Sequence, residues 1–260
     1  MKTKIAYLLT IAFAAALTAC EVDNFEAPST VIQGTLYDAQ TREPLQLEQG
    51  KNHTRIMTEE LSWNNGNFTP FYLATKQDGS YYNNKMFDAE YRISPIDGPF
   101  IPVLLRDNEG KIVVDNRKTV KIKGSATIDF ELEPFLRVEY VGSPVINADN
   151  TLTVKFKFTK GQSNEHYTIA PFLDCQLFIC PNPYVGNNNY DGKLVGGVVT
   201  SFNGKSGDAL EGDEISITTV KPLGSTQGSR TYYIRVGARV NDSSKRYNYT
   251  KVKTVTVPKL

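Results

Sequence analysis

The sequence predicts an all-β chain built as two tandem β-sandwiches, and three observations carry that reading. Its 260 residues include 19 Gly, 13 Pro, 14 Tyr and 13 Phe beside many β-branched side chains, a composition that favours strands and turns. Several segments alternate apolar and polar residues with period two, the record of strands buried on one face. No helix-period segment of convincing length follows Cys20.

The first segment sets the address. Lys2 and Lys4 give a positive start, Ile5 to Ala16 an apolar run too short for a permanent membrane span, and Leu17-Thr-Ala-Cys20 a close of small residues. Residues 1–19 therefore read as a signal peptide. The last quartet fits the bacterial lipobox, which implies cleavage before Cys20, a diacylglycerol on its sulfur and an acylated new N-terminus. That outcome anchors the protein to a membrane without inserting the chain through it. Processing leaves 241 residues and, with Lys2 and Lys4 gone, 27 basic side chains against 28 acidic. A balanced charge gives no electrostatic case for nucleic acid as partner. Residues 20–30, acidic and without periodicity, read as a lipidated tether. Their acidic start resembles the signal that sends Bacteroidetes lipoproteins to the outer face of the outer membrane.

A first sandwich is expected over residues 31–134. Val31 to Asp38 places Ile32, Gly34 and Leu36 on one face, with Pro44 in the following turn. Asp78-Gly79 is a tight-turn pair followed by a closing strand near Met86 to Ile93. From Ala126 to Glu133, Ile128, Phe130 and Leu132 point inward while Asp129, Glu131 and Glu133 face water. The runs Gly34-Thr-Leu-Tyr-Asp38, Thr41-Arg-Glu-Pro-Leu45 and Gln77-Asp-Gly-Ser-Tyr81 resemble carboxypeptidase-regulatory-like domains, which are transthyretin-like sandwiches. Arg42 stands where that pattern usually has Gly, so the turn there can differ in type.

Pro134 ends this unit and Phe135 to Tyr140 begins the next at once, which implies two sandwiches butted end to end with limited swing over residues 135–260. Asn147 to Asn150 marks a turn, and Leu152, Val154, Phe156 and Phe158 alternate with polar partners. Further strands are expected at Cys175–Cys180, Leu194–Thr200, Glu214–Val220 and Val252–Val257. In Thr231 to Val240 the inward set is Tyr232, Ile234, Val236, Ala238 and Val240, a pattern that resembles the F strand of fibronectin type III or immunoglobulin-like domains. Within a strand, Cys175 and Cys180 stand about 16 Å apart on opposite faces, which predicts two free, mostly buried thiols; a local disulfide requires the strand to break before Cys180.

Reaction motifs are scarce. His53 and His166 fall in different domains without a ligand set around them, and there is no Gly-x-Ser-x-Gly elbow, P-loop or His-Glu-x-x-His. No catalytic residue, metal ligand or cofactor is assigned, and the chain is not expected to be an enzyme. Asx-rich loops at Asn147–Asn150, Asn187–Gly192 and Gly207–Asp213 read as turns before calcium sites, since none follows the EF-hand ligand order. The strongest binding signal is aromatic: Trp63, Phe71 and Tyr72 beside a Gly/Asn turn, and Tyr184 and Tyr190 in a polar loop. Aromatic faces stack on sugar C–H surfaces while Asn and Asp bond hydroxyls, although the same side chains suit protein contacts or the capping of a sandwich edge.

Taken with the Gly34–Gln46 opening, the Asp78-Gly79 hairpin, the Phe135–Tyr140 junction and the Tyr184-Val-Gly-Asn-Asn-Asn189 loop, the chain resembles a Bacteroidetes lipoprotein family of unassigned function. The resemblance implies a carboxypeptidase-regulatory-like domain followed by an immunoglobulin-like one. It also implies a place beside SusC-like TonB-dependent transporters and SusD-like lipoproteins in nutrient uptake. The expected role is a surface-exposed outer-membrane accessory lipoprotein that binds glycan or peptide, or packs on the transporter. A purely scaffolding subunit is the alternative, and a surface hydrolase the third choice.

Overall fold

A computed structural model describes residues 26–50, 53–62, 67–224 and 226–259. The signal peptide, Cys20, most of the tether and Trp63 lie outside the described residues. What is described is almost entirely β structure arranged as successive sandwiches, as the alternation requires.

The first sandwich comprises β1 (Thr30–Asp38), β2 (Arg55–Glu60), β3 (Phe71–Ala74), β4 (Ser80–Met86), β5 (Ala89–Ile96), β6 (Leu104–Arg106), β7 (Ile112–Asp115), β8 (Lys118–Ile122), β9 (Ser125–Thr127) and β10 (Phe130–Leu132). In one sheet β1 pairs antiparallel with β4 and parallel with β9 and β10; the other runs β3-β2-β5-β8. Ile32, Leu36, Ile56, Ile93, Phe100, Phe130 and Leu132 fill the space between them. Gly34 is required by close approach, because a Cβ there would collide with the Ile128 carbonyl, which also accepts the Tyr81 hydroxyl at 2.5 Å.

The segment expected as a single strand from Ala126 to Glu133 is two short strands. Its facing holds, with Ile128, Phe130 and Leu132 buried, and its register holds too, since Ile32↔Ala126 and Leu36↔Phe130 keep the same offset. The ladder breaks where the Asp129 carboxylate, in place of a backbone carbonyl, accepts the Thr35 N–H at 2.8 Å. At Arg42 the chain keeps a left-handed backbone, φ 63°, the conformation a glycine would favour. The Asp38 carbonyl and side chain hold that turn by accepting the N–H groups of Arg42, Gln40 and Thr41.

The second sandwich comprises β11 (Leu136–Tyr140), β12 (Val145–Ile146), β13 (Leu152–Lys160), β14 (Phe172–Cys180), β15 (Ser201–Phe202), β16 (Lys205–Ser206), β17 (Ile215–Thr218), β18 (Arg230–Val240), β19 (Asn248–Tyr249) and β20 (Lys253–Val257). β11, β12 and β17 flank β13, while β14, β19 and β20 flank β18. The two sheets bury Leu152, Val154, Phe156, Phe158, Ile234 and Val236 between them, and Phe158 stacks on Phe172 at 4.3 Å. The strand expected over Leu194–Thr200 does not form; only Val199 bridges to Cys175. Gly196 and Gly197 give that segment no side chains to pack, and Val198 is exposed.

Cys175 and Cys180 are free and buried, one in the main core and the other in a third apolar cluster. Burial pushes the Cys175 thiol up to about 12 and raises that of Cys180. The third cluster joins Phe178, Cys180, Val185, Tyr247 and Tyr249 on the outer face of the β14–β18 sheet. It is covered by the loop after β14 and by Leu47 and Glu48 of the first sandwich.

Candidate functional site

The two sandwiches meet along a polar seam. Arg137, first strand residues past Pro134, donates from Nε and Nη2 to the Asp38 carboxylate at 2.7 and 2.8 Å and pairs with Glu133 at 2.9 Å. Burial alone would raise the Asp38 pKa, but Arg137 and the turn N–H groups outweigh it and hold the carboxyl below its ordinary value. Asn248 bridges the sandwiches, accepting the Leu136 N–H at 3.0 Å and donating to the Pro99 carbonyl at 2.9 Å.

Deeper in the seam, Arg235 is fully buried, donates to the Leu47 carbonyl at 2.9 Å and lies 3.6 Å from the Tyr249 ring centre. Its Nη2 stands 3.7 Å from Glu48, whose carboxylate also takes the Tyr249 hydroxyl. Burial pulls the Arg235 pKa down and pushes the Tyr249 hydroxyl well up. A Cβ at Gly186 would crowd the ends of the Arg235 and Glu48 side chains. Sequence reading assigned Arg235 to the solvent side of its strand; no local signal marks a face that a distant segment covers.

This seam absorbs part of the aromatic set. The Asn187 N–H donates to Glu48 at 2.8 Å, Asn188 to the Gln49 carbonyl at 2.6 Å, and Gln77 to the Pro183 carbonyl at 3.1 Å. The loop carrying Tyr184 and Tyr190 is thus fastened to the first sandwich. Tyr190 packs edge-on against Phe178 at 5.2 Å, whereas Tyr184 stays 59% exposed.

Tyr72, on the outer face of the β3-β2-β5-β8 sheet, is 42% exposed, and the Arg55 guanidinium sits 4.3 Å from its ring centre. Arg55 donates from Nε and Nη2 to Asp97 at 2.8 and 2.5 Å, and Arg246 of the second sandwich approaches the same carboxylate at 4.0 Å. Asp97 has φ 60°, a left-handed backbone that presents its carboxylate between two arginines. Farther along the same face Arg92 lies 5.2 Å from the Phe68 ring centre and donates to Glu59 at 2.6 Å. Arg117 holds Asp115, whose pKa falls to about 2.

The structure groups these residues unevenly. Tyr72 pairs with Met57, and Arg55, two residues along β2, stacks on its ring, while the Tyr184 loop meets the first sandwich at Gly50 and Gln77. Phe71, 51% exposed, pairs with Thr58 one step along the ladder from Tyr72, but as its neighbour on β3 it directs its side chain to the opposite face. A groove of about 390 Å³ beside the seam is lined by Asp38, Arg137, Tyr140, Tyr249, Lys251 and Lys253; Asp38 pairs with Arg137 and Lys251 with Glu43, while Lys253 lies over the Tyr140 ring and donates to the Gly142 carbonyl. The Asx-rich loops spend their carboxylates on turns and lysines: Asp149 accepts the Thr151 N–H, Asp191 the Lys193 N–H, and Asp208 the Phe172 N–H and Lys160. Among the described residues no helix is long and apolar enough to cross a membrane.

Residues 30–133 match the N-terminal domain of DUF3823, a family described as proteins of unknown function. A DUF3823 family protein from Bacteroides uniformis is 26% identical, superposes with a TM-score of 0.76, and is matched over 89% of this chain and 100% of its own. A second Bacteroides uniformis protein, described as a "putative carbohydrate binding protein", is 22% identical with a TM-score of 0.62 over 88% of this chain and 100% of its own. A DUF3823 family protein from Parabacteroides merdae shares the fold at 16% identity and a TM-score of 0.61, over 88% and 100% of the two chains. No functionally curated protein matches. Over residues 30–133 the chain is thus similar to the N-terminal domain of the DUF3823 family, and over most of its length it shares a fold with solved members of that family.

Proposed function

We propose that this protein is an outer-membrane lipoprotein, anchored through Cys20 and facing the cell exterior, that binds saccharide for a SusC/SusD-like uptake complex without catalysing a reaction on it. The observation that carries the binding reading is the exposed Tyr72 ring braced by Arg55, with the Asp97 carboxylate and Arg246 beside it. Such a platform offers a flat apolar face to sugar C–H groups and fixed donors and an acceptor to hydroxyls. The exposed Tyr184, on a loop tied to the first sandwich by Gln77, offers a second aromatic face. Likeness in fold to the Bacteroides uniformis protein provisionally assigned to carbohydrate binding points the same way. The lipobox and acidic tether supply the address, and the resemblance to accessory lipoproteins supplies the transporter partners.

Titration of the purified chain with oligosaccharides tests the binding role, with Tyr72→Ala as control. Loss of a stacked aromatic is expected to weaken binding about tenfold, or about 1.4 kcal/mol, near the upper end of what such contacts contribute. Binding unchanged in Tyr72→Ala, with the fold intact, would remove the platform from the account. A scaffolding subunit is the second reading, favoured by how much of the Tyr184 loop is committed to the seam. Retained transporter assembly with no ligand for the wild type would select it.

A further inference from the structure

Two exposed aromatics, Tyr82 and Phe87, have no part in the platform or the seam; each is 52% exposed. Their place in the fold is specific. β1 runs between two ends: at Asp38 it meets Arg137 and the second sandwich, and at Thr30 it receives the tether. Thr30 pairs with Met86, and the Thr30 hydroxyl and Gly124 N–H both donate to Asp88, so the point where the tether enters is fixed between two turns. Lys85 near the end of β4 and Phe87 in the turn after it lie on one side and Lys123 on the other, while Lys121 lies on the adjoining strand in register with Glu90. All of these side chains are exposed. Tyr82 stands on the outer face of β4, opposite Gln33.

We infer that this end of the first sandwich is a membrane-docking face, with an anionic bilayer surface as its occupant. The inference rests on the reading of Cys20 as the lipid anchor. Ten Cα–Cα steps separate Cys20 from Thr30, so the anchor holds this end within about 35 Å of the bilayer. Aromatic rings seat at the headgroup level and lysines meet anionic headgroups while their stems lie along the apolar boundary. Asp88, held by Thr30 and Gly124, lies near Lys123, and Glu90 is in register with Lys121, so the three lysines of this end stand beside two carboxylates. The diacylglycerol and acylated amine on Cys20 would already make anchoring durable, so the basic, aromatic contact would serve to fix the orientation of the first sandwich on the bilayer. Docking would also set the geometry. The nine residues of β1 span about 26 to 30 Å, so the seam and the Tyr72 platform would be held away from the bilayer.

The test uses the full chain expressed in a lipidating host and reconstituted in vesicles of phosphatidylethanolamine and phosphatidylglycerol. Lysines are acetylated briefly and read by mass spectrometry, with Lys157 and Lys205 of the second sandwich as internal references. The N-terminal peptide mass in the same spectra reports acylation. Lys85, Lys121 and Lys123 are expected to react about fivefold more slowly than the references on anionic vesicles. Tyr82→Ser/Phe87→Ser, two exposed changes that leave the core untouched, is expected to abolish that protection. An acylated chain without protection overturns the docking face and leaves the lipoprotein reading standing. An unacylated chain refutes the anchor, and its titration with the same vesicles then decides the face alone: protection supports it and none overturns it. Protection that needs added outer-membrane proteins would also overturn it, because the occupant would then be protein.

Discussion

Replacing Asp38 by Asn tests the seam at its entry. The carboxylate accepts two N–H groups of Arg137 and caps the Gln40 and Thr41 N–H groups of its own turn. An asparagine oxygen can keep one turn bond, but its NH₂ would face the Arg137 donors. Removing one partner of a buried pair costs about 3 to 5 kcal/mol. Glu133 still pairs with Arg137, which lowers the expected loss to about 2 to 3 kcal/mol, or a Tm lower by roughly 5 to 10 °C for a protein of this size. The pH dependence follows from sign. Because the folded Asp38 pKa lies below its unfolded value, its contribution is complete above the unfolded carboxylate range and is lost as pH falls through the folded value. Urea unfolding should therefore show a constant gap between wild type and Asp38→Asn from about pH 5 to 8 that narrows below about pH 4. A gap under about 0.5 kcal/mol at pH 7, or one that persists undiminished at pH 2, would refute the electrostatic account of the seam.

Other sites give independent checks. Gly34→Ala forces a Cβ against the Ile128 backbone and is expected to cost about 2 kcal/mol or more in chemical unfolding. At Arg42 the glycine change relieves a left-handed backbone but frees the unfolded chain and removes the exposed Glu131 pair. Arg42→Gly should stay within about 0.5 kcal/mol of wild type, while Arg42→Val costs more than about 1 kcal/mol. Neither Cys175 nor Cys180 should react with a thiol reagent at pH 8 until the protein is unfolded, since burial raises both thiols.

Much of this fold is written in period-two alternation, and the reason is physical. A strand buried on one face must repeat its apolar residues every second position, so Leu152–Phe158 and Tyr232–Val240 declared their inward sets in advance. What stayed hidden depends on distant segments. Arg235 occupies a solvent-type position in that alternation, yet the loop after β14 and Leu47–Glu48 bury it. Tyr190 reads as a binding aromatic in a polar loop, but Phe178 beneath it is a neighbour only in the folded chain. The break at Asp129 needed knowledge that Thr35 lies opposite it. Of the candidate site, Tyr72 was visible as an aromatic near a turn; Arg55, Asp97 and Arg246, from two strands' ends and a second sandwich, were not.

The central claim is a surface-anchored saccharide binder working beside a transporter pair, and affinity purification of the full chain from native outer membranes tests it most directly. The account expects a SusC-like and SusD-like pair to co-purify, with an oligosaccharide retained by the wild type and lost from Tyr72→Ala. Recovery of the chain with neither transporter nor glycan nor peptide would contradict it.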